Sequence, residues 1–199
     1  MIFKRIMAIA PVVIAFSAIV SIAPGAAAQA PAKVKFATSA GDFVVEVYPE
    51  KAPKTVENFL QYVRDKHYDG TLFHRVIPNF MVQGGGYDAN YAEKPTRPPV
   101  VHEGREALAK GGPKNVNGAL AMARTSDPNS ASSQFFINVK DNDFLNPSAQ
   151  APGYTVFGKV VSGMDVVNAI KSVPTGAGGP FPTDAPKTQV LIKSATFVN

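Results

Sequence analysis

Cysteine is absent from the 199-residue chain, and histidine occurs only three times. Without cysteine the protein has no disulfide scaffold, no thiol nucleophile and no zinc–thiolate centre. The three histidines are widely separated, and neither an H-x-x-x-H spacing nor an Asp-rich loop accompanies them. Because both patterns are typical of protein metal sites, the sequence predicts no metal.

Charged residues are also few, at 18% of the chain against 45% hydrophobic residues. This balance excludes an intrinsically disordered chain and provides enough apolar residues for one core. The net charge of +5 comes without any run of Lys or Arg, and basic residues are mixed with acidic ones, as in Glu103-Gly104-Arg105-Glu106. Since nucleic-acid-binding faces concentrate basic residues, we expect no nucleic-acid partner.

The N-terminus has the pattern of a secretory signal peptide. Lys4-Arg5 precedes an uncharged stretch with an apolar centre, which is followed by the helix breakers Pro24-Gly25 and by Ala26-Ala27-Ala28. A basic start, an apolar middle and small residues of the A-x-A type define such segments. We predict cleavage of residues 1–28 after Ala28, which leaves one domain of residues 29–199 and no stable membrane anchor. Two alternatives stay open, namely cleavage after Ala30 and retention of the segment as an anchor.

The rest of the chain alternates short apolar runs with turn residues. Strands are predicted at 34–38, 42–48, 73–77, 80–83, 119–123, 134–138, 155–160 and 190–198. Helices are predicted from Pro53, where Val56, Phe59 and Val63 recur at helical spacing, and over residues 164–173. Residues 89–117 and 174–186 are predicted to be surface loops, and residues 84–86, all glycine, to end a strand. Eight short strands at close spacing predict a sandwich or a closed barrel.

Residues 73–85 place an arginine among hydrophobic side chains. Because side chains alternate between the faces of a strand, Phe73, Arg75 and Ile77 are predicted to share one face, with His74 and Val76 on the other. A guanidinium is expensive to bury without a partner, so Arg75 either serves a function here or reaches out to solvent. For an isolated arginine, the residues alone favour the second interpretation.

Three segments together form a specific pattern: F-H-R-V-I-P-N-F-M-V-Q-G-G at 73–85, S-Q-F-F-I-N at 133–138 and V-F-G-K-V at 156–160. With them the chain resembles the cyclophilin family of peptidyl-prolyl isomerases from Val34 to about Val198. With its predicted signal peptide, the chain is similar to the periplasmic members of this family in Gram-negative bacteria. The resemblance implies a mostly β fold, a closed eight-stranded antiparallel barrel capped by two α-helices, and a monomer.

The resemblance also implies a site, in which Arg75 corresponds to the family's catalytic arginine. Walls of a proline pocket are implied at Phe80, Met81, Phe136 and Leu145, with Phe144 beside them. Polar groups along the groove are implied at Gln83 and Gln134, a peptide-pairing edge at Ala123 and Arg124, and a further substrate contact at Tyr154.

Three positions depart from the commonest eukaryotic pattern. Arg124 stands in place of asparagine, Phe144 in place of tryptophan and Tyr154 in place of histidine. Because the tryptophan N–H is a hydrogen-bond donor, its loss is expected to weaken binding of the cyclic-peptide inhibitor cyclosporin. The roles of Arg124 and Tyr154 stay open, although the Tyr154 hydroxyl offers a replacement hydrogen-bonding group.

The implied activity is rotation of X–Pro bonds, so proline-containing peptides and unfolded exported proteins are the expected partners. Amide resonance sets a barrier of about 18–20 kcal/mol to this rotation. A donor such as Arg75 stabilises the twisted amide, in which resonance is lost, without a nucleophile, metal or cofactor. The alternative is a proline-peptide-binding chaperone with little catalysis. A hydrolase is disfavoured because no G-x-S-x-G elbow occurs.

Overall fold

The computed structural model of the protein describes residues 31–198, so the predicted signal peptide and its cleavage site lie outside the described residues. The strands in this region are β1 (Ala32–Thr38), β2 (Gly41–Val47), β3 (Thr71–Ile77), β4 (Met81–Asp88), β5 (Ala119–Met122), β6 (Phe135–Asn138), β7 (Val156–Ser162), β8 (Thr175–Gly178), β9 (Phe181–Pro186) and β10 (Leu191–Val198). The α-helices are α1 (Pro53–Arg64), α2 (Gly104–Ala109) and α3 (Met164–Lys171), and short 3-10 turns occur at Pro128–Ser130 and Asp143–Leu145.

Eight of these strands close into an antiparallel barrel in the order β1-β10-β3-β4-β6-β5-β7-β2. In β1, Val34 and Phe36 are buried while Lys33 and Lys35 are exposed, as expected for a strand with one face toward a core. The tight connection to β2 places Thr38 opposite Gly41. The predicted closed eight-stranded barrel is therefore confirmed.

Aromatic rings fill the barrel interior. The ring of Phe36 lies 5.1 Å from that of Phe43 and 5.3 Å from that of Phe135, and Phe59 reaches in from α1 to within 5.1 Å of Phe157. All five side chains are buried, and each contributes about 1.5–3 kcal/mol through removal from water. The apolar faces of α1 and α3, the two predicted helices, pack on this same core.

The predicted loop at 89–117 contains a helix that the sequence pattern did not indicate. Glu103 immediately precedes α2, and its buried carboxylate accepts hydrogen bonds from the backbone N–H groups of Lys54 (3.1 Å) and Thr55 (2.8 Å). Both N–H groups lie in the first turn of α1, where backbone donors have no partner within the helix. A remote acidic residue therefore caps α1, and no local pattern announces that pairing.

The prediction that three glycines end a strand was wrong, because β4 continues through Gly84–Gly86. A Cβ on Gly84 would lie 2.9 Å from the backbone oxygen of Leu72. Gly85 has a φ of +88°, and a Cβ there would lie 2.8 Å from the ring of Tyr68. These glycines thus admit close neighbours within the sheet and do not interrupt it.

Residues 174–186, predicted to be a loop, form the two-stranded hairpin β8–β9 outside the barrel. The segment is rich in Pro and Gly, which lowers its strand signal, yet it is held by contacts with β3 and β4 described below. Across residues 31–198, no helix is long and apolar enough to cross a membrane.

Candidate active site

A cleft of about 510 Å³ on the outside of the barrel brings together all eleven residues predicted for the site. These are Arg75, Phe80, Met81, Gln83, Ala123, Arg124, Gln134, Phe136, Phe144, Leu145 and Tyr154. His74, Tyr87 and Phe181 complete the lining and were not predicted as site residues. Phe181 lies in the hairpin that the sequence presented as a loop, so no local signal pointed to it.

Arg75 reaches the cleft because β3 is bulged. The register with β4 steps from Phe73 opposite Gly84 to Arg75 opposite Gln83, so β3 carries one extra residue at this point. As a result Phe73 joins the barrel core, while Arg75 lines the cleft. The prediction that these two side chains share a face was wrong. His74, predicted on the face opposite Arg75, also lines the cleft.

The floor of the cleft is a small apolar cluster separate from the barrel interior. Met81, Phe136 and Leu145 are its buried members in the cleft, with exposed fractions of 2%, 5% and 7%. Phe80 packs at its edge and stacks on Phe144 at 5.6 Å, and Phe144 itself is 73% exposed. The cluster therefore forms an apolar recess with one exposed aromatic wall, suited to a small nonpolar ring.

A chain of buried asparagines supports this recess from behind. The Asn142 amide donates to the backbone oxygen of Phe80 (2.9 Å) and to Oδ1 of Asn138 (2.7 Å). Asn138 donates to Oδ1 of Asn115 (3.2 Å), and Asn115 donates to the backbone oxygen of Leu145 (3.2 Å). All three asparagines are buried. The chain thus joins two walls of the recess, Phe80 and Leu145, through side-chain amides.

Polar groups line the other side of the cleft. Nε2 of Gln83 donates to Oε1 of Gln134 at 3.0 Å, and the backbone N–H of Ala123 donates to the backbone oxygen of Gln134 at 3.0 Å. Within residues 31–198, the backbone N–H and the carbonyl of Arg124, which lie on the same side of an extended strand, have no hydrogen-bond partner. One strand-like edge with a free acceptor and a free donor therefore faces the cleft, which is what an extended peptide needs for pairing.

Arg124 and Tyr154, two positions that depart from the eukaryotic pattern, contact each other. The Arg124 guanidinium lies 4.5 Å above the Tyr154 ring, and its Nη2 donates to the backbone oxygen of Gly153 at 2.8 Å. The Tyr154 ring meets Phe136 edge-on at 5.5 Å. Arg124 is thus held by a cation–π contact, and the Tyr154 ring forms part of the recess wall.

The charges around Arg75 are arranged for a donor role and not for proton transfer. Nε of Arg75 lies 3.9 Å from Oδ2 of Asp184, and both side chains are partly exposed. The pKa of the neighbouring His74 is lowered to about 4, chiefly by burial; the backbone of Leu72 opposes this shift, and the Arg75 charge adds to it. His74 is therefore neutral near pH 7. No cluster of metal-ligating side chains occurs in the described part of the chain.

The chain is similar to known proteins over most of its length. The sequence profile of the family described as "Cyclophilin type peptidyl-prolyl cis-trans isomerase/CLD" matches residues 33–197. Peptidyl-prolyl cis-trans isomerase B of Escherichia coli is 51% identical over 166 residues, which cover 82% of this chain and 98% of the relative. Peptidyl-prolyl cis-trans isomerase A of Dickeya dadantii is 44% identical over 195 residues, covering 98% of each.

A solved structure has the same fold. It is a Cryptosporidium parvum cyclophilin type peptidyl-prolyl cis-trans isomerase crystallised in the presence of the dipeptide Ala-Pro. The TM-score is 0.66 at 26% sequence identity, and the alignment covers 84% of this chain and 99% of that chain.

Proposed function

The chain belongs to the cyclophilin family and is a peptidyl-prolyl cis-trans isomerase, and on this premise we propose that it acts on X–Pro bonds of exported proteins with Arg75 as its catalytic group. The observation that carries the proposal is that one cleft gathers all eleven predicted residues. Arg75 lies there beside an apolar recess and an unpaired backbone edge. The alternative, a proline-peptide-binding chaperone with little catalysis, uses the same cleft but does not require the arginine.

The substrate fits the cleft through its two chemical parts. The proline ring is apolar and enters the recess of Met81, Phe136 and Leu145. The flanking backbone pairs with the free N–H and the free carbonyl of Arg124, next to Ala123. The related Cryptosporidium parvum enzyme was crystallised in the presence of Ala-Pro, which supports the same class of ligand here. Because backbone groups make the pairing, many residues before proline are accepted.

Rotation breaks no σ-bond and moves no proton, so catalysis depends on selective stabilisation of the twisted amide. In that state resonance is lost and the proline nitrogen gains lone-pair density. A hydrogen bond to this nitrogen, or to the carbonyl oxygen as it swings, is stronger in the transition state than in either planar isomer. Arg75 suits this task because its guanidinium stays charged and carries several N–H groups in a rigid plane. The recess holds the ring while the preceding carbonyl moves.

The test is a protease-coupled isomerase assay with an alanine–proline tetrapeptide. Arg75→Ala is expected to lower kcat/KM roughly 10²–10³-fold, the range for loss of one preorganised transition-state donor. Arg75→Lys keeps the charge but lacks the planar fork, so it should recover little activity. Arg64→Ala removes an exposed arginine of α1 outside the cleft and is the matched control. Near-native turnover by Arg75→Ala would refute the assignment. Peptide binding without turnover by the wild type would favour the chaperone.

Export remains part of the proposal and is supported by the N-terminal pattern of residues 1–28. We place the mature protein, residues 29–199, in the periplasm, where unfolded exported chains would be its clients. N-terminal sequencing of the protein from a periplasmic fraction should begin at Gln29. Recovery of a form that retains Met1 in the membrane fraction would overturn this location.

A further inference from the structure

The hairpin β8–β9 places a carboxylate beside the guanidinium of the proposed catalytic arginine. Oδ2 of Asp184 lies 3.9 Å from Nε of Arg75. The two residues are more than one hundred positions apart in sequence, so only the packing of the hairpin against β3 brings them together. The contact is an ion pair, since the distance exceeds that of a hydrogen bond.

Aromatic contacts fix the hairpin in this position. Phe181, at the start of β9, stacks on His74 with ring centres 5.1 Å apart and meets Tyr87 edge-on at 5.0 Å. Tyr91 packs so closely over the hairpin turn that a Cβ on Gly178 would lie 2.7 Å from its hydroxyl oxygen. The hairpin is therefore attached to the residue next to Arg75 and cannot shift freely away from the cleft.

The backbone at Asp184 is itself unusual. Its φ is +65°, in the left-handed region that non-glycine residues seldom occupy. Glycine would adopt this conformation without strain, and asparagine tolerates it about as well as aspartate does. The backbone conformation at this point of β9 therefore does not require a carboxylate, whereas an aspartate here places a negative charge near Arg75.

We propose that Asp184 is a positioning residue for Arg75. Its carboxylate attracts the Nε side of the guanidinium, which leaves the two terminal amino groups turned toward the peptide. Because the guanidinium is planar, fixing one edge fixes the direction of the others. Less conformational freedom is then lost when Arg75 engages the twisted amide. This inference rests on the proposed function, in which Arg75 is the catalytic group.

The experiment compares Asp184→Asn and Asp184→Gly with wild type, and uses Asp165→Asn as the matched control. Asp165 is an exposed residue in the first turn of α3 and does not line the cleft. Both Asp184 variants suit the left-handed backbone and remove the charge. We expect them to lower kcat about two- to fivefold, the range for a partly exposed ion pair, with KM nearly unchanged. Asp165→Asn should match wild type.

Two further readouts separate positioning from a merely structural role. In 1 M salt, screening should narrow the difference in kcat between wild type and Asp184→Asn. In solution NMR, the Arg75 Nε–Hε signal should be resolved and slowly exchanging in wild type. In Asp184→Asn it should move and exchange faster. In an Arg75→Lys background, which has no Nε–H edge, Asp184→Asn should change kcat little.

The outcomes distinguish this inference from the proposed function. If Arg75→Ala keeps near-native activity, both fail. If Arg75→Ala is inactive but the Asp184 variants retain wild-type kcat and an unchanged Arg75 Nε–Hε signal, only the positioning role is overturned. A higher kcat in Asp184→Asn would also overturn it, because the carboxylate would then compete with the substrate for the guanidinium. Circular dichroism of each variant verifies that any loss of activity is not a loss of fold.

Discussion

Removal of the Asn142 side chain tests whether the asparagine chain behind the cleft shapes the proline recess. Both N–H groups of its amide are used, one on the backbone oxygen of Phe80 and one on Oδ1 of Asn138. Asn142→Ala deletes both donors, so Oδ1 of Asn138 loses its hydrogen bond, while the backbone oxygen of Phe80 keeps a second one from the backbone N–H of Val139 at 3.1 Å. Because Phe80 forms a wall of the recess, we expect loss of stability and loss of substrate affinity together.

The size of the effect follows from the two acceptors. The Asn138 oxygen left without its partner costs about 1–3 kcal/mol, and the one hydrogen bond lost by Phe80, which keeps its bond from Val139, adds about 0.5–1.5 kcal/mol. We therefore expect Asn142→Ala to lower the free energy of unfolding by about 2–4 kcal/mol. For a domain of this size, that corresponds to a fall in Tm of about 5–15 °C. Asn142→Asp keeps the shape of the side chain but replaces the donating amide by a carboxylate, which faces two oxygen acceptors. This variant should therefore be at least as unstable as Asn142→Ala near pH 7.

The assay combines urea unfolding, followed by circular dichroism, with kcat and KM for an alanine–proline tetrapeptide. KM should rise more than kcat falls, since Phe80 and Leu145 form the recess and the proposed donor is Arg75. Asn168→Ala, on α3 and away from the cleft, is the control and should stay within about 0.5 kcal/mol of wild type. An Asn142→Ala variant as stable as this control, with an unchanged KM, would refute the reasoning.

Two other predictions concern the cleft aromatics and the buried histidine. Phe144→Trp should strengthen cyclosporin binding about three- to tenfold in a calorimetric titration, because the exposed position has room for an indole and one N–H donor is restored. Unchanged affinity would mean that the absence of this N–H donor does not weaken cyclosporin binding. The pKa of His74 is lowered to about 4 in the folded protein, so the unfolded chain binds more protons between about pH 6.5 and 4. His74 therefore contributes stability that is fully present above about pH 6.5 and is lost as the pH falls to 4, by about 3 kcal/mol. His74→Phe should flatten this part of the stability–pH curve in urea titrations, and an unchanged slope would contradict the assignment.

The sequence predicted most of the fold because the barrel strands carry local signals. Alternation such as that of Val34 and Phe36 marks a strand with one buried face, and the spacing of Val56, Phe59 and Val63 marks a helix. Both patterns are properties of neighbouring residues. The short helix α2 and the hairpin β8–β9 were missed because their stability depends on partners far away in the chain. Glu103 caps α1, and Phe181 packs on His74.

The candidate site, like the fold, has features that local sequence predicts and features that depend on packing between distant segments. Its eleven predicted residues were found through a family resemblance, six of them inside the contiguous motifs at 73–85 and 133–138, and the structure gathers all eleven in one cleft. The direction of Arg75 was predicted by simple alternation, but the bulge after Phe73 changes that alternation. A bulge depends on the register with the neighbouring strand, which a single strand does not encode.

By itself the sequence determined the class of fold, eleven of the fourteen residues that line the cleft and the chemistry that these residues permit. Only the tertiary structure decided which groups surround them. The carboxylate of Asp184 near Arg75, the asparagines behind Phe80 and the pairing of Arg124 with Tyr154 all join residues distant in the chain. The physical reason is that periodicity and turn chemistry act over a few residues, whereas ion pairs, buried hydrogen bonds and ring contacts depend on how the closed barrel brings remote segments within a few ångströms.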